Sequence, residues 1–501
     1  MLSLQNYPFV HVILLPTFFI LFLFSYNQDE LLIKDLFIPI VSSMIIVSVS
    51  MIIIRLFSKN SHKNFLIFSM LIILFFIYGH VFITIDNFQI GDFDIGRHLF
   101  LLPLFFGIFI LCLYLIKNYF NSKITLFLNV ISVTLIFLSL SNIVTFNTIS
   151  DSKLFENIEL TLDSKNKPNI YYIILDEYAG KESLEHYYDF DNSKFLDFLK
   201  TKEFFVMSDS FSNYPYTGLS TASTLNMKYL DFLTTFSENH SSKPALQLFQ
   251  KNNVMTIFND NDYTTIYIYG GVRERVQIAD INICERYMTH DFPNLLFRTT
   301  VLTIIHKQLL SNDWAEIRLC ALNELSTAHE KYPEPIFVFA HLRLPHDPFT
   351  FGPNGEILDD AEINLELTPS GTISNYLDQL VFTNKKISDL IEILLNLENP
   401  PIIILQSDHG ARFDIDWEDV ESSDASLHRA YNNFHAVYFP NKNYDSFSST
   451  STNVNTFRIV FNEIFDKNLE ILDDKIFLSH PSKEYEFTDI TDKILNYKLN
   501  E

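Results

Sequence analysis

The residues best able to do chemistry stand where apolar runs stop. Pro401-Ile402-Ile403-Ile404-Leu405-Gln406-Ser407 leads straight into Asp408-His409-Gly410, which sets a carboxylate beside an imidazole. A second run, 336–340, ends in His341-Leu342-Arg343-Leu344-Pro345-His346-Asp347-Pro348, and a third, 170–175, ends in Asp176-Glu177. Carboxylates and imidazoles are ligands that divalent transition metals take from proteins. A fourth segment, Asn213-Tyr214-Pro215-Tyr216-Thr217-Gly218-Leu219-Ser220-Thr221, feeds hydroxyls into a predicted helix start. There a hydroxyl could act as a nucleophile and the helix terminus could favour a bound phosphate. Each piece has a plain alternative: Asp176 or the hydroxyls as helix caps, His341, His346 and His435 as core histidines, Arg412 as half of a surface ion pair. Gly410 would permit a tight turn after Asp408-His409.

These residues need strands to hold them. Apolar runs at 170–175, 264–269, 336–340, 401–405 and 435–439 read as strands, and 246–259 and 384–396 as amphipathic helices. That alternation predicts an α/β domain with a mostly parallel central sheet and helices on both faces. Such sheets bind ligands beyond the carboxyl ends of their strands, where the acids and histidines gather. A polar stretch at 446–453 precedes a short helix whose face is Phe457, Val460, Phe461 and Ile464, in a small C-terminal addition from about 441.

The first third of the chain is almost wholly apolar. Five membrane spans are predicted, at about 8–25, 37–56, 65–85, 99–116 and 124–146, each near the ~20 residues that cross a hydrocarbon core. The first lacks the basic start and small-residue cleavage site of a signal peptide. Loops with Asp29, Glu30, Lys34 and Asp35, and with Asp86, Asp92, Asp94 and Arg97, alternate with loops holding Arg55, Lys59 and Lys63, then Lys117 and Lys123. The positive-inside rule makes the latter cytoplasmic, so the N-terminus lies inside and everything after the fifth span outside. The expected division is a five-helix transmembrane domain at 1–146, a polar juxtamembrane linker at 147–167 and an extracytoplasmic catalytic domain at 168–501.

Charge follows the same division. Residues 151–501 carry 29 of the 36 Lys and Arg and 54 of the 60 Asp and Glu, a balance of −25 that accounts for the whole formal −24. A surface of that sign argues against nucleic acid, which is bound through basic patches. The spans hold few ionisable groups, chiefly His11 and His80, so they read as an anchor or a lipid platform rather than a proton-coupled pump. Of three cysteines, Cys112 lies in a span. Cys284 and Cys320 lie outside and could pair, but two cysteines make no framework and the balance falls slightly against it.

The order Asp176, Thr217, His341/His346, Asp408-His409 resembles the alkaline phosphatase superfamily in its sulfatase-like branch. Within that branch the chain is similar to bacterial membrane-anchored proteins of the lipoteichoic-acid-synthase kind, which also carry five N-terminal spans. The stretches that carry the likeness are PNIYYIILDEYAG (168–180), NYPYTGLSTASTLNMKYL (213–230), FVFAHLRLPHDPF (337–349) and IIILQSDHGAR (402–412), with weaker ones at 433–440 and 454–458. The resemblance implies Asp176, Asp408 and His409 as metal ligands and Thr217 as nucleophile and fourth ligand. It implies His346 as phosphate-binding group or leaving-group acid; His341, Arg412 and His435 are the further candidates for substrate binding, read from their positions. One Mn or Zn ion is implied, with Mg also compatible. The chain departs from lipoteichoic acid synthases in having Asp176-Glu177 where they have Glu-Ser. It lacks the C/S-x-P-x-R motif of formylglycine sulfatases, and Cys284-Glu285-Arg286 does not supply it. His435 stands where compared relatives often have Asn.

The expected activity is transfer of a phospho-headgroup, of phosphoglycerol or phosphoethanolamine type, from a membrane lipid to an envelope glycan or lipid through a phospho-threonine. The setting would be a bacterial cytoplasmic membrane. Two other readings stand beside it: a phosphodiesterase or phosphatase on an envelope substrate, and a catalytically inactive membrane scaffold.

Overall fold

The computed structural model describes residues 7–28, 31, 33–57, 61–85, 88–90, 93–94, 96–119, 121–147, 154, 158–162, 167–239, 243–272, 275–285, 291–305, 313–358, 369–413, 423–448, 450–480 and 483–497. Asp29, Glu30, Lys59, Asp86 and Asp92 among the loop charges, and much of the 147–167 connector, lie outside these residues. The chain forms two compact units, one of residues 1–152 with 287–311, the other of 153–286 with 312–501.

The first unit is built on five apolar helices: α1 (Val10–Tyr26), α2 (Phe37–Phe57), α3 (Ser61–Ile85), α4 (His98–Tyr119) and α5 (Ser122–Asn147). The last four are long and apolar enough to cross a membrane, while α1 has 17 residues and includes Pro16. At 1.5 Å per residue α1 spans about 26 Å, slightly short of a ~30 Å hydrocarbon core. It packs against α2, α3 and α5 and buries Val12, Leu15, Ile20 and Phe24. Polar side chains tie the helices where hydrophobicity cannot discriminate between protein and lipid. His11 Nδ1 lies 2.6 Å from Ser69 Oγ, and the His11 amide donates to Asn129 Oδ1 at 2.8 Å. His11 is thereby accounted for as a tie between helices.

Residues 287–311 join this unit although they interrupt the second one in sequence. Helix Asp291–Thr299 places Phe292, Leu295 and Leu296 in the apolar core of the bundle, with Phe292 edge-on to Phe24 at 5.7 Å. Gly79 allows the approach: a Cβ there would lie 2.2 Å from the Thr299 carbonyl carbon. An apolar cavity of about 690 Å³ opens among the helices, lined by Phe75, Tyr78, Phe105 and Phe106 with Val301 and Leu302.

The second unit is an α/β fold around seven strands: β1 (Ile170–Leu175), β2 (Phe205–Val206), β3 (Thr264–Gly270), β4 (Ile281–Ile283), β5 (Ile336–Leu342), β6 (Ile402–Gln406) and β7 (His435–Tyr438). Their order is β2-β7-β6-β1-β5-β3-β4. Strands β1, β3, β4, β5 and β6 run parallel, and β7 is antiparallel to both its neighbours. The parallel strands β1, β5 and β6 are buried along their whole length, which explains their uninterrupted apolar runs. Apolar cores cover both sheet faces, one centred on Tyr172, Phe337 and Phe339, the other on Tyr171, Val338 and Ile403. Helices α6 (Thr217–Asn226), α7 (Asp313–Lys331), α8 (Pro369–Leu395) and α9 (Thr456–Phe465) take part in these layers. A hairpin of Phe477–His480 and Lys483–Asp489 packs Phe477 and Tyr485 into the first of these cores.

Two sequence expectations are amended. The helix predicted over 246–259 is two helices, Lys243–Gln250 and Asn253–Asp260, because Asn252 accepts the Met255 amide at 2.8 Å and starts a new helix. Cys284 and Cys320 are bonded, with Cα atoms 5.8 Å apart.

Candidate metal centre and active site

Strand β1 is central, and its register sets the site. Ile174 lies opposite His341 on one side and Gln406 on the other, so the chain ends after β1, β5 and β6 emerge together. Asp176, Asp408 and His409 are buried there and offer ligand atoms within 4.8 Å of one another. His409 Nε2 lies 3.7 Å from Asp176 Oδ1 and 3.3 Å from Asp408 Oδ2. The other ring nitrogen, Nδ1, is 2.9 Å from the Gly410 carbonyl, a contact that places the proton on Nδ1 and leaves the Nε2 lone pair for the cluster.

Gly410 is required for a reason other than a turn. A Cβ on it would lie 2.1 Å from Arg429 O and 2.4 Å from Asn432 O, so the backbone there passes too close for any side chain.

The donor set fits a divalent cation. Asp176 Oδ1 and Asp408 Oδ2 are buried and have no hydrogen-bond partner among the described residues, which is costly for carboxylate oxygens. Burial, then the neighbouring Asp408 charge, pushes the Asp176 carboxyl up to about 8. Two carboxylates held together in a dry site ionise together only with a cation between them. Burial lowers His409 to about 3 and His341 to about 4, so both imidazoles are neutral, the form that binds metal. Asp176, Asp408 and His409 could therefore hold a divalent metal.

Thr217 opens helix α6, and its Oγ1 is 3.3 Å from His409 Nε2. Ser220, one turn along, donates to the Asp408 carbonyl at 2.6 Å and pins the helix start to the end of β6. The hydroxyl thus sits at a helix N-terminus beside the cluster, where anionic charge is favoured.

His341 reaches the cluster from within the protein: it is fully buried, with Nε2 3.8 Å from Asp176 Oδ2. His346 is partly open to solvent and bracketed by acids, Asp347 Oδ1 at 2.9 Å from Nδ1 and Glu177 Oε2 at 3.6 Å from Nε2. Burial lowers its pKa, but the Asp176 and Glu177 charges and the Asp347 hydrogen bond outweigh it and raise it to about 9. Arg412 donates from Nη1 to Pro215 O at 2.7 Å and from its amide to Glu177 Oε1 at 3.1 Å, beside the Thr217 loop. His435 is not brought to the cluster. It is buried in β7 against Gln406, whose Nε2 is 3.4 Å from its Nδ1 and also donates to Thr456.

Glu177 received no role from the sequence, yet it joins His346 and Arg412. Its left-handed φ of 61° turns the chain immediately after Asp176, which sends adjacent acids to different partners.

The model of the Sulfatase family matches residues 168–468, and the chain belongs to that family. No curated protein matches it by sequence. Among solved structures it is similar to the C-terminal periplasmic domain of EptC from Escherichia coli in complex with zinc, at 13% identity and TM-score 0.43. That alignment covers 67% of this chain and 96% of that one. The integral membrane lipooligosaccharide phosphoethanolamine transferase A (EptA) from Neisseria meningitidis is similar over 93% of this chain and 95% of that one, at 9% identity and TM-score 0.40. A phosphonate monoester hydrolase of Agrobacterium radiobacter is similar at 12% identity and TM-score 0.40, over 62% and 80%.

Proposed function

We propose that the protein is a membrane-anchored, metal-dependent phosphotransferase that moves a phospho-headgroup from a lipid to an envelope acceptor through Thr217. The observation that carries this reading is the Thr217 hydroxyl at a helix start, 3.3 Å from His409 Nε2 in a buried acid–imidazole cluster. Five apolar helices and a cavity walled by hydrocarbon support a lipid donor of phosphoglycerol or phosphoethanolamine type. The charge pattern of the loops supports an N-terminus inside a bacterial cytoplasmic membrane and a catalytic domain, 168–501, outside it.

Asp176, Asp408 and His409 would hold one divalent ion, Mn or Zn by donor type. When bound, that ion would lower the pKa of the Thr217 hydroxyl and offset charge on the phosphoryl oxygens. Thr217 Oγ, its proton already released to solvent, attacks phosphorus as the alkoxide, the form in which the second half-reaction frees it again, while the bond from phosphorus to the leaving alcohol oxygen breaks. His346, protonated by its acidic bracket, gives that oxygen its proton. The second half runs in reverse: His346 takes a proton from the incoming alcohol, whose oxygen attacks phosphorus and frees Thr217. Arg412 lies on the Thr217 side and would meet the anionic substrate. The absence of a formylglycine motif supports Thr217 as the nucleophile in this reading.

The full-length protein in detergent, given a phospholipid labelled in its headgroup, tests the reading. Diacylglycerol should appear in the donor fraction, and the label should pass to an added glycan or lipid acceptor. Label released only as a free phosphorylated headgroup would establish the hydrolase instead. Intact donor after incubation with metal would reject both.

A further inference from the structure

Arginine is seldom buried without a carboxylate, yet Arg318 on helix α7 is fully buried and every oxygen it touches is neutral. Its Nη2 donates to the carbonyls of His346 at 3.2 Å and Asp347 at 3.4 Å. Its Nη1 donates to the carbonyl of Pro348 at 2.6 Å and to Thr350 Oγ1 at 2.6 Å. Three consecutive carbonyls thus converge on one guanidinium. Gln379 on helix α8, also buried, grips the same loop from another side. Its Nε2 donates to the Pro345 and His346 carbonyls at 2.9 and 2.8 Å, while its Oε1 accepts the Thr350 amide at 2.8 Å.

The clamp holds backbone, and the His346 ring is aimed separately, by Asp347 at Nδ1 and Glu177 at Nε2. A second anchor lies at the start of the same helix, where Trp314 packs under the Arg343 guanidinium at 5.2 Å and Arg343 reaches Asp347 at 2.9 Å. The Cys284–Cys320 disulfide joins the middle of α7, two residues past Arg318, to the end of edge strand β4. Burial brings the Arg318 guanidinium down to about 9, so it remains cationic at neutral pH. Burying a charge is expensive, and neutral donors could cap loop carbonyls at less cost.

The geometry points to Arg318, with Gln379, as a positioning residue that fixes the 345–351 loop and so delivers His346 to the leaving oxygen. This inference rests on the role of His346 in the proposed function. A planar guanidinium can span three carbonyls, whereas a lysine ammonium, a compact point donor, cannot.

The test uses the full-length protein with Arg318→Lys, which keeps charge and approximate volume, and Gln379→Met, which keeps length and removes the amide contacts to the loop without adding charge. His346→Ala is the reference. Turnover is compared on a nitrophenyl phosphodiester, whose leaving group needs no proton, and on a short-chain phospholipid, whose alkoxide does. Amide exchange of the 345–351 loop is followed on the same samples. Positioned acids contribute about 10²–10⁴-fold, so His346→Ala should lower the phospholipid-to-nitrophenyl ratio by about that factor. Arg318→Lys and Gln379→Met should lower the same ratio by about tenfold or more and speed exchange of the loop. A merely structural role would lower both turnovers together and leave the ratio unchanged. If His346→Ala lowers the ratio while the clamp variants keep it, or if loop exchange is unaltered, the positioning role is overturned. If His346→Ala itself leaves the ratio unchanged, the reading of His346 as the acid fails. The positioning role then falls with it, and faster loop exchange in the clamp variants would show a structural clamp only.

Discussion

Replacing Gly410 by alanine should disable the metal centre while leaving its ligands in place chemically. The added Cβ would meet Arg429 O at 2.1 Å, whereas ordinary contact begins near 3.4 Å, so something must move by 1.3 Å. The obstacles are backbone atoms, which cannot swing aside as a side chain would. The Gly410 carbonyl also holds His409 Nδ1 at 2.9 Å, so the displacement passes directly to a ligand. Metal–ligand distances tolerate about 0.2 Å, well below that shift. Loss of an orienting partner alone typically weakens metal binding by about 10–100-fold, or about 1.4–2.7 kcal/mol. Overpacking should add about 1–3 kcal/mol of destabilisation to the metal-free fold. Calorimetric titration of purified protein with Zn or Mn, alongside thermal unfolding in chelator, reads both effects. Gly107→Ala, at a position with nothing within 4 Å, is the matched control and should bind metal as the wild type does. Wild-type metal affinity in Gly410→Ala would refute the close-approach argument.

Other outcomes follow from the same geometry. The His346 pKa is raised from 6.5 to about 9, so its contribution to stability is fully present below 6.5 and is lost as pH rises through about 9. In the metal-loaded enzyme kcat/KM should fall on the alkaline side as His346 loses its proton, and His346→Gln should lose this alkaline limb; an unchanged limb would remove His346 from the proton transfer. Arg412→Ala should raise KM by about tenfold or more, the usual worth of a charge-assisted hydrogen bond, with a smaller change in kcat. An unaltered KM in steady-state kinetics would place the anion elsewhere. The disulfide spans a sequence separation of 36 residues, and losing it through Cys284→Ser with Cys320→Ser should cost about 4 kcal/mol. Thiol titration of the oxidised protein should find one free cysteine, Cys112, and denaturant unfolding should show the loss in the double variant.

Much of this was legible in the chain because parallel strands buried on both faces have only one way to look. The apolar stretches before Asp176, His341 and Asp408 mark β1, β5 and β6, and a strand's end fixes where its next residue must stand. The break at Asn252 was hidden because the apolar period continues across it, and only the side-chain cap reveals a new helix. Residues 291–305 were hidden for the opposite reason: their helix is amphipathic and only 9 residues long, too short to read as a span, although its apolar face packs among the apolar helices of the first unit. Arg318 left a faint signal, since it lies in helical phase with Ala321, Leu325 and Ala328 on a buried face. A charged residue at such a phase suggests an internal oxygen acceptor, but not which loop provides it. His435 shows the limit of reading by position. A histidine opening a strand at the sheet's active edge can equally face the interior, and here its ring meets Gln406.

The claim on which the rest depends is that Thr217 carries the transferred group. Intact-mass spectrometry of the full-length protein, loaded with Zn or Mn and quenched in acid after brief exposure to a headgroup-bearing phospholipid, measures it directly. The account predicts a mass increase equal to one phospho-headgroup, located on Thr217 by peptide fragmentation and missing from Thr217→Ala that still binds metal. Donor turnover with no adduct on Thr217, or an adduct that survives in Thr217→Ala, would contradict it.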